Sequence, residues 1–212
     1  IDGIRQSFAG IGEQISAITD MVVPLGIALS EATIEFEKFA GENKELAAEI
    51  IETGHAFGFT AEQSLAAGSR MAQLSALVGE AATATATELG QQFALISGMD
   101  TEQAMQRMIN LQQQTGFMYG DLTNKQFRLL SAESQRATVM SNTLEVMDQL
   151  NTVENRSAAT LKQITFVMNQ FAAQAHQTGE SIANMAAMSA TLIEAGEEQG
   201  KAGRALRMIY AR

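Results

Sequence analysis

Over the first forty positions the apolar residues recur every three and four places without a break: Ile1, Ile4, Phe8, Ile11, Ile15, Ile18, Val22, Leu25, Leu29, Ala32, Phe36 and Phe39. A 3.5-residue period predicts a helix that supercoils left-handedly with partner helices. With Ile1 at heptad position a, Phe8, Ile15, Val22, Leu29 and Phe36 share position a, while Ile4, Ile11, Ile18 and Leu25 fall at d. Isoleucine at both positions favours three or four strands over two. The expected oligomer seam is Ile4, Phe8, Ile11, Ile15, Ile18, Val22, Leu25, Leu29 and Phe36. The competing reading packs the same stripe onto the domain that follows, within one chain. Gly3, Gly10, Gly12 and Gly26 each weaken such a helix by ~1 kcal/mol, and Pro24 kinks or breaks it.

From residue 42 on the period lengthens to i, i+3, i+4, and glycines punctuate it. Leu46, Ile50, Ile51 and Phe57 mark one helix that stops near Gly54–Gly58. Thr60, with Gln63 three places on, predicts a capping box opening a second helix through Leu65, Met71, Leu74 and Val78. A third runs from about Glu80 through Ala82, Ala86, Leu89, Phe93 and Ile96 to Gly98, which makes the Ala/Thr-rich tract at 81–90 helical. A fourth starts at the capping residue Asp100 and carries Met105, Met108 and Ile109. Gly58–Leu65 (GFTAEQSL) and Gly98–Met105 (GMDTEQAM) match at a separation of 40 residues, the mark of a duplicated helical hairpin.

Phe127, Leu130, Ala137, Met140, Leu144 and Met147 predict one longer helix. Leu161, Ile164, Met168, Phe171 and Ala175 predict another, and Ile182, Met185, Ala186, Ser189, Leu192 and Ile193 a third, ended by Gly196. A last helix holds Leu206, Ile209 and Tyr210. No segment alternates with period two, so the fold class is all-α with essentially no β-sheet. Residues 1–40 form a coiled-coil-like helix and 41–212 a multi-helix domain.

Composition sharpens this. Apolar residues make up 46%, enough for a core, with 12 Met, one Pro and no Trp. Methionine suits helix contacts that adapt, and scarce proline leaves long helices intact. The absence of Cys removes disulfides and thiolate metal sites. A net charge of −10 opposes phosphate-driven binding, so no sequence-specific nucleic acid partner is expected. The most apolar window, Met21–Leu29, is about half the ~20 residues a bilayer span needs, so membrane contact is not indicated.

Candidate chemistry reduces to decoys. Ala195–Ala202 (AGEEQGKA) has the glycine and lysine spacing of a phosphate-binding loop. Ala202 stands where Ser or Thr would hold Mg²⁺, two glutamates face the phosphate position, and a helix precedes it instead of a strand. The expected structure is an interhelical turn. His55 with Glu52, and His176 with Glu180, are helix-end pairs lacking further ligands. Glu194, Glu197 and Glu198 read as a solvated turn, and Lys201, Arg204, Arg207 and Arg212 as cations answering it or their helix's C-terminal dipole. Gly54-x3-Gly58, Gly116-x3-Gly120 and Gly196-x3-Gly200 are turns, not membrane dimer motifs. No catalytic, cofactor or metal residue is expected.

The segment from Gly179 to Arg212 (GESIANMAAMSATLIEAGEEQGKAGRALRMIYAR) combines an apolar helix, an L-x-E-A-G turn at Leu192–Gly196 and an A-G-x-A-L-R run at Ala202–Arg207. In these features it resembles the core of phage tail tape measure proteins; Leu192, Gly196, Gly203, Leu206 and Arg207 carry the family turn. The resemblance implies a large helical protein inside the growing tail tube, whose length fixes tail length and which leaves ahead of the DNA. It implies assembly in the host cytoplasm, a place in the virion, and tail tube and hub or baseplate proteins as partners. Symmetry about a tube axis, with the isoleucine-rich seam, favours three copies, with six as the alternative. The competing class is a helical secretion or signalling module outside any phage.

Overall fold

The computed structural model describes residues 29–41, 43–73 and 78–211. The seam positions Ile4 through Leu25, Pro24 and most of the apolar window at 21–29 lie outside them. The structure is 80% helical and, among the described residues, has no strand.

Helix α1 covers residues 29–40. It leads into α2 (Lys44–Ala56), α3 (Ala61–Ala72), a 3₁₀ turn (Glu80–Ala82), α4 (Thr83–Ser97) and α5 (Thr101–Thr115). After a second 3₁₀ turn (Phe117–Tyr119) come α6 (Asn124–Arg128), the long α7 (Ala132–Asn155), α8 (Leu161–Met168), α9 (Ala172–Gln177), α10 (Ile182–Glu194) and α11 (Gln199–Tyr210).

Local chemistry sets the starts. The Thr60 hydroxyl accepts from the Gln63 N–H at 3.2 Å while the Gln63 side-chain Oε1 accepts from the Thr60 N–H at 3.0 Å, the expected capping box. Asp100 caps α5 through the Gln103 N–H at 2.8 Å. The Ala/Thr tract is helical, with Thr83, Ala84, Thr85, Ala86 and Thr87 all buried.

The main core gathers Leu89, Phe93, Met105, Phe127, Leu161, Ile164, Met168, Phe171 and Met185 from both halves of the chain. A second, smaller cluster joins Ala32, Phe36, Ile50, Leu65 and Ala84. Phe36, 1% exposed, is therefore covered by α2, α3 and α4 of its own chain. Leu29 stays partly exposed.

Four expectations are corrected. The helix expected through Phe127 and Met147 is two helices, because Ser131 caps a new start through the Ser134 N–H at 3.2 Å. The buried face of α7 is Val139, Thr143, Val146, Met147 and Leu150, which turns Met140 and Leu144 outward. The stripe from Leu161 to Ala175 is buried throughout, yet its helix breaks at 169–171. There Gln114 of α5 donates to the freed Asn169 carbonyl at 3.0 Å, which offsets the lost intrahelical bond. Ile96 and Ile209, expected on core stripes, are exposed.

Candidate functional site

The C-terminal hairpin, α10 and α11, holds every residue of the predicted family turn, and the packing gives most of them a task. After α10 the chain closes a Schellman turn: the Glu197 N–H reaches the Leu192 carbonyl at 3.1 Å and the Gly196 N–H the Ile193 carbonyl at 3.0 Å. Gly196 sits at φ 85°, in the left-handed region that a side chain disfavours. Leu192 is half-buried against the main core.

Glu194, the last residue of α10, is exposed beside the turn, as are Glu197 and Glu198, but it also makes a tertiary contact. Its carboxylate accepts from the Ala158 backbone N–H at 2.8 Å and so ties α10 to the α7–α8 loop. Glu154 performs the matching task from α7, accepting from the Leu161 N–H at 2.7 Å. A carboxylate facing the free N–H groups at a helix start is favourable both as an acceptor and toward the helix dipole. Neither contact has a signal in local sequence, because each partner lies in another element or across a loop.

On α11, Ala202, Gly203 and Leu206 form the buried face. A Cβ on Gly203 would stand 2.5 Å from Gln170 Cδ, so glycine here lets α11 lie close on the break between α8 and α9. Tyr210 closes the hairpin. Its ring stacks on Phe171 with centroids 5.9 Å apart, and its hydroxyl donates to Glu180 Oε1 at 3.1 Å. Burial first, then the Glu180 carboxylate, push the Tyr210 hydroxyl's pKa above its ordinary value of 10.0. Arg207 points to solvent.

The phosphate-loop decoy is an interhelical turn only over residues 195–198; Gln199 to Ala202 already form the first turn of α11, with Lys201 exposed. His55 and His176 are exposed at the ends of α2 and α9. Of the Gly-x3-Gly pairs, Gly58, Gly116, Gly120 and Gly196 take positive φ at turns, whereas Gly54 and Gly200, expected at turns, lie inside α2 and α11. Among the described residues, no group of three or more His, Asp and Glu is placed to hold a metal ion, and no helix is long and apolar enough to cross a membrane. What the hairpin does chemically is hold helices together through close packing and capped backbone groups.

Residues 129–212 match the family model of the phage-related minor tail protein. The match starts beside α7 and runs through α11, so it covers the hairpin and all the helices it rests on. It supports a phage tail protein with a structural role, associated with the virion. The comparisons with curated proteins and with solved structures gave no match.

Proposed function

We propose that the chain acts as a region of a phage tail tape measure protein: a non-enzymatic structural and assembly element that sets tail length, nucleates assembly and leaves during genome ejection. The observation that carries this reading is that the minor tail family match takes in the L-x-E-A-G and A-G-x-A-L-R hairpin, whose Leu192, Gly196, Gly203 and Leu206 make the turn and the close helix contact. Ruler function is natural to such a chain, since an extended helix advances ~1.5 Å per residue. Its partners in this reading are further copies of itself, three or six, along with tube and hub or baseplate proteins. A tail component that measures nothing, or a helical secretion or signalling module outside a phage, is the alternative.

Mass spectrometry of purified particles and tail lengths in electron micrographs separate these. The expected result is peptides of this chain in the particle, and tails lengthened by about 30 Å when about 20 helical residues are inserted in frame into the parent gene. Peptides present with tail length unchanged would remove the ruler and leave a minor tail component. Absence from particles would remove both and leave the secretion or signalling module.

A further inference from the structure

Among the exposed apolar faces, those on α7 and α11 carry opposite net charge. On α7, Ala137, Met140 and Leu144 follow helical spacing on the outer side, with Met140 41% and Leu144 45% exposed. Glu133, Glu145 and Asp148 stand exposed around them with one cation, Arg136, so the face is acidic on balance. On α11, Met208 is 64% and Ile209 66% exposed, beside exposed Lys201, Arg204 and Arg207. Among the described residues the one ion pair is Arg70–Glu102, so the cations of α11 are not paired with the acidic turn before them, and the acids of α7 are not paired with a cation either. Exposed apolar side chains rimmed by uncompensated charge mark a contact surface more than a solvated face.

We infer that a second copy of this chain covers each face: α11 of one copy docks antiparallel on α7 of the next. The register follows from equal helical rise. Setting Lys201 beside Asp148 brings Arg204 to Glu145, and Met208 then arrives at Ser141, next to Met140. The parallel arrangement that brings Met208 to Met140 sets Arg204 against Arg136, a like-charge contact that opposes it. Charge also selects the occupant. A chain of net charge −10 repels its own copies over most of its surface, and three cations within about two turns of α11 provide a place where that repulsion reverses. The contact joins unlike faces, so it builds a ring where the rotation closes and a fibre where it does not. It is separate from the heptad seam and holds whether or not the chain measures a tail.

The chain has no cysteine, which makes the test direct. Full-length Met140→Cys and Met208→Cys chains are purified reduced, mixed and oxidised, and disulfide-linked dimer is quantified. A disulfide needs Cβ atoms ~4 Å apart, so it reports this contact and not mere proximity. The expected yield is at least about tenfold that of either variant alone, or of Met208→Cys mixed with Gln106→Cys, whose site on α5 is exposed but unrelated. Adding Lys201→Glu and Arg204→Glu to the Met208→Cys chain brings the yield down to that control. Adding Glu145→Lys and Asp148→Lys to the Met140→Cys chain as well restores it. A yield equal to the control, one unmoved by the first reversal, or one not restored by the second overturns the proposal.

Discussion

The hairpins α2–α3 and α4–α5 share one local code: a helix, a glycine at positive φ (Gly58 or Gly98), then T-A-E-Q from Thr60 or D-T-E-Q from Asp100. Both fold as that code directs, yet they end in different packing. The second hairpin lies in the main core, burying Leu89 and Phe93 from α4 and Met105 and Met108 from α5. In the first, α2 buries only Ile50 and Gly54, while α3 sends Ala67 and Met71 into the main core and presents small residues, Ser64, Gly68 and Ser69, to α1 and α2. A Cβ on Gly68 would stand 2.8 Å from Ile50 Cδ1 and 3.2 Å from Phe36 Cε2, so small size here sets how near α1 and α2 approach. Capping decides where a helix begins; side-chain volume decides which layer it joins.

Truncating one large side chain on each side of that divide tests it. Phe171→Ala removes a fully buried ring from the main core and the stacking partner of Tyr210, at a cost of ~3–5 kcal/mol. Denaturant unfolding followed by circular dichroism should show the whole transition moving. Ile50→Ala should cost ~2–5 kcal/mol, with the loss confined to α1–α3. Amide hydrogen exchange would show it: protection falling in residues 29–72 and holding in α8–α11. Equal loss of protection in both regions would mean that the two clusters unfold as one unit.

The contact between the first hairpin and α4 carries its own weakness. Gln91 is fully buried with neither amide atom hydrogen-bonded, and a Cβ on Gly54 would lie 3.0 Å from its Nε2. An orphaned buried amide costs ~1–3 kcal/mol, so Gln91→Met should raise stability by about that much. The measurement is the denaturant midpoint at unchanged slope. A lowered midpoint would show that the amide is satisfied, by water or by a local shift.

Much of this fold was legible in the chain, and the failures have a common cause. Helix starts at Thr60 and Asp100, the glycine stops at Gly98 and Gly196, and the all-α class came from short-range rules that operate within a few residues. The same T-x-x-Q signature stands at Thr123 and Thr160, where it opens α6 and α8, though periodicity alone passes over it. Faces were harder. Met140, Leu144, Ile96 and Ile209 are as apolar as the residues that are buried, and only the position of distant helices decides which side of α4, α7 or α11 is covered. Of the family hairpin, the turn at Gly196 was visible locally; the clamp from Glu194 to Ala158 and the seat of Gly203 on Gln170 were not, since both join elements far apart in sequence.

A matched pair of cap deletions sharpens the hairpin comparison at lower energy. Thr60→Ala and Asp100→Ala each remove an acceptor from a helix N-terminus and should each cost ~1 kcal/mol. Because the bonds are local, the two costs should agree even though the hairpins sit in different layers, and the double variant should show their sum. A cost at Asp100 several times that at Thr60 would mean that cap and core are coupled in the second hairpin alone.

The smallest effect concerns Tyr210, whose ring seats the end of α11 on Phe171 of the main core. Tyr210→Phe keeps the stacked ring on Phe171 and loses the hydrogen bond to Glu180, so at neutral pH it should cost about 0.5 kcal/mol, the low end for a partly exposed bond. Its signature is in alkali. The folded pKa of Tyr210 is raised by burial and then by Glu180, so the folded chain holds that proton more tightly than the unfolded chain does. The stability linked to it is complete below the unfolded value near 10 and is lost as pH climbs from there through the folded value. Tyr119 is shifted the same way, by burial above all, and adds the same kind of loss in both proteins. The difference between parent and Tyr210→Phe cancels that shared part. It should be constant below about pH 9 and narrow as pH rises past about 10, because only the parent still has a phenol at 210 to ionise. A difference that stays flat to the end of the titration would place the Tyr210 hydroxyl in water and reduce its role to the ring.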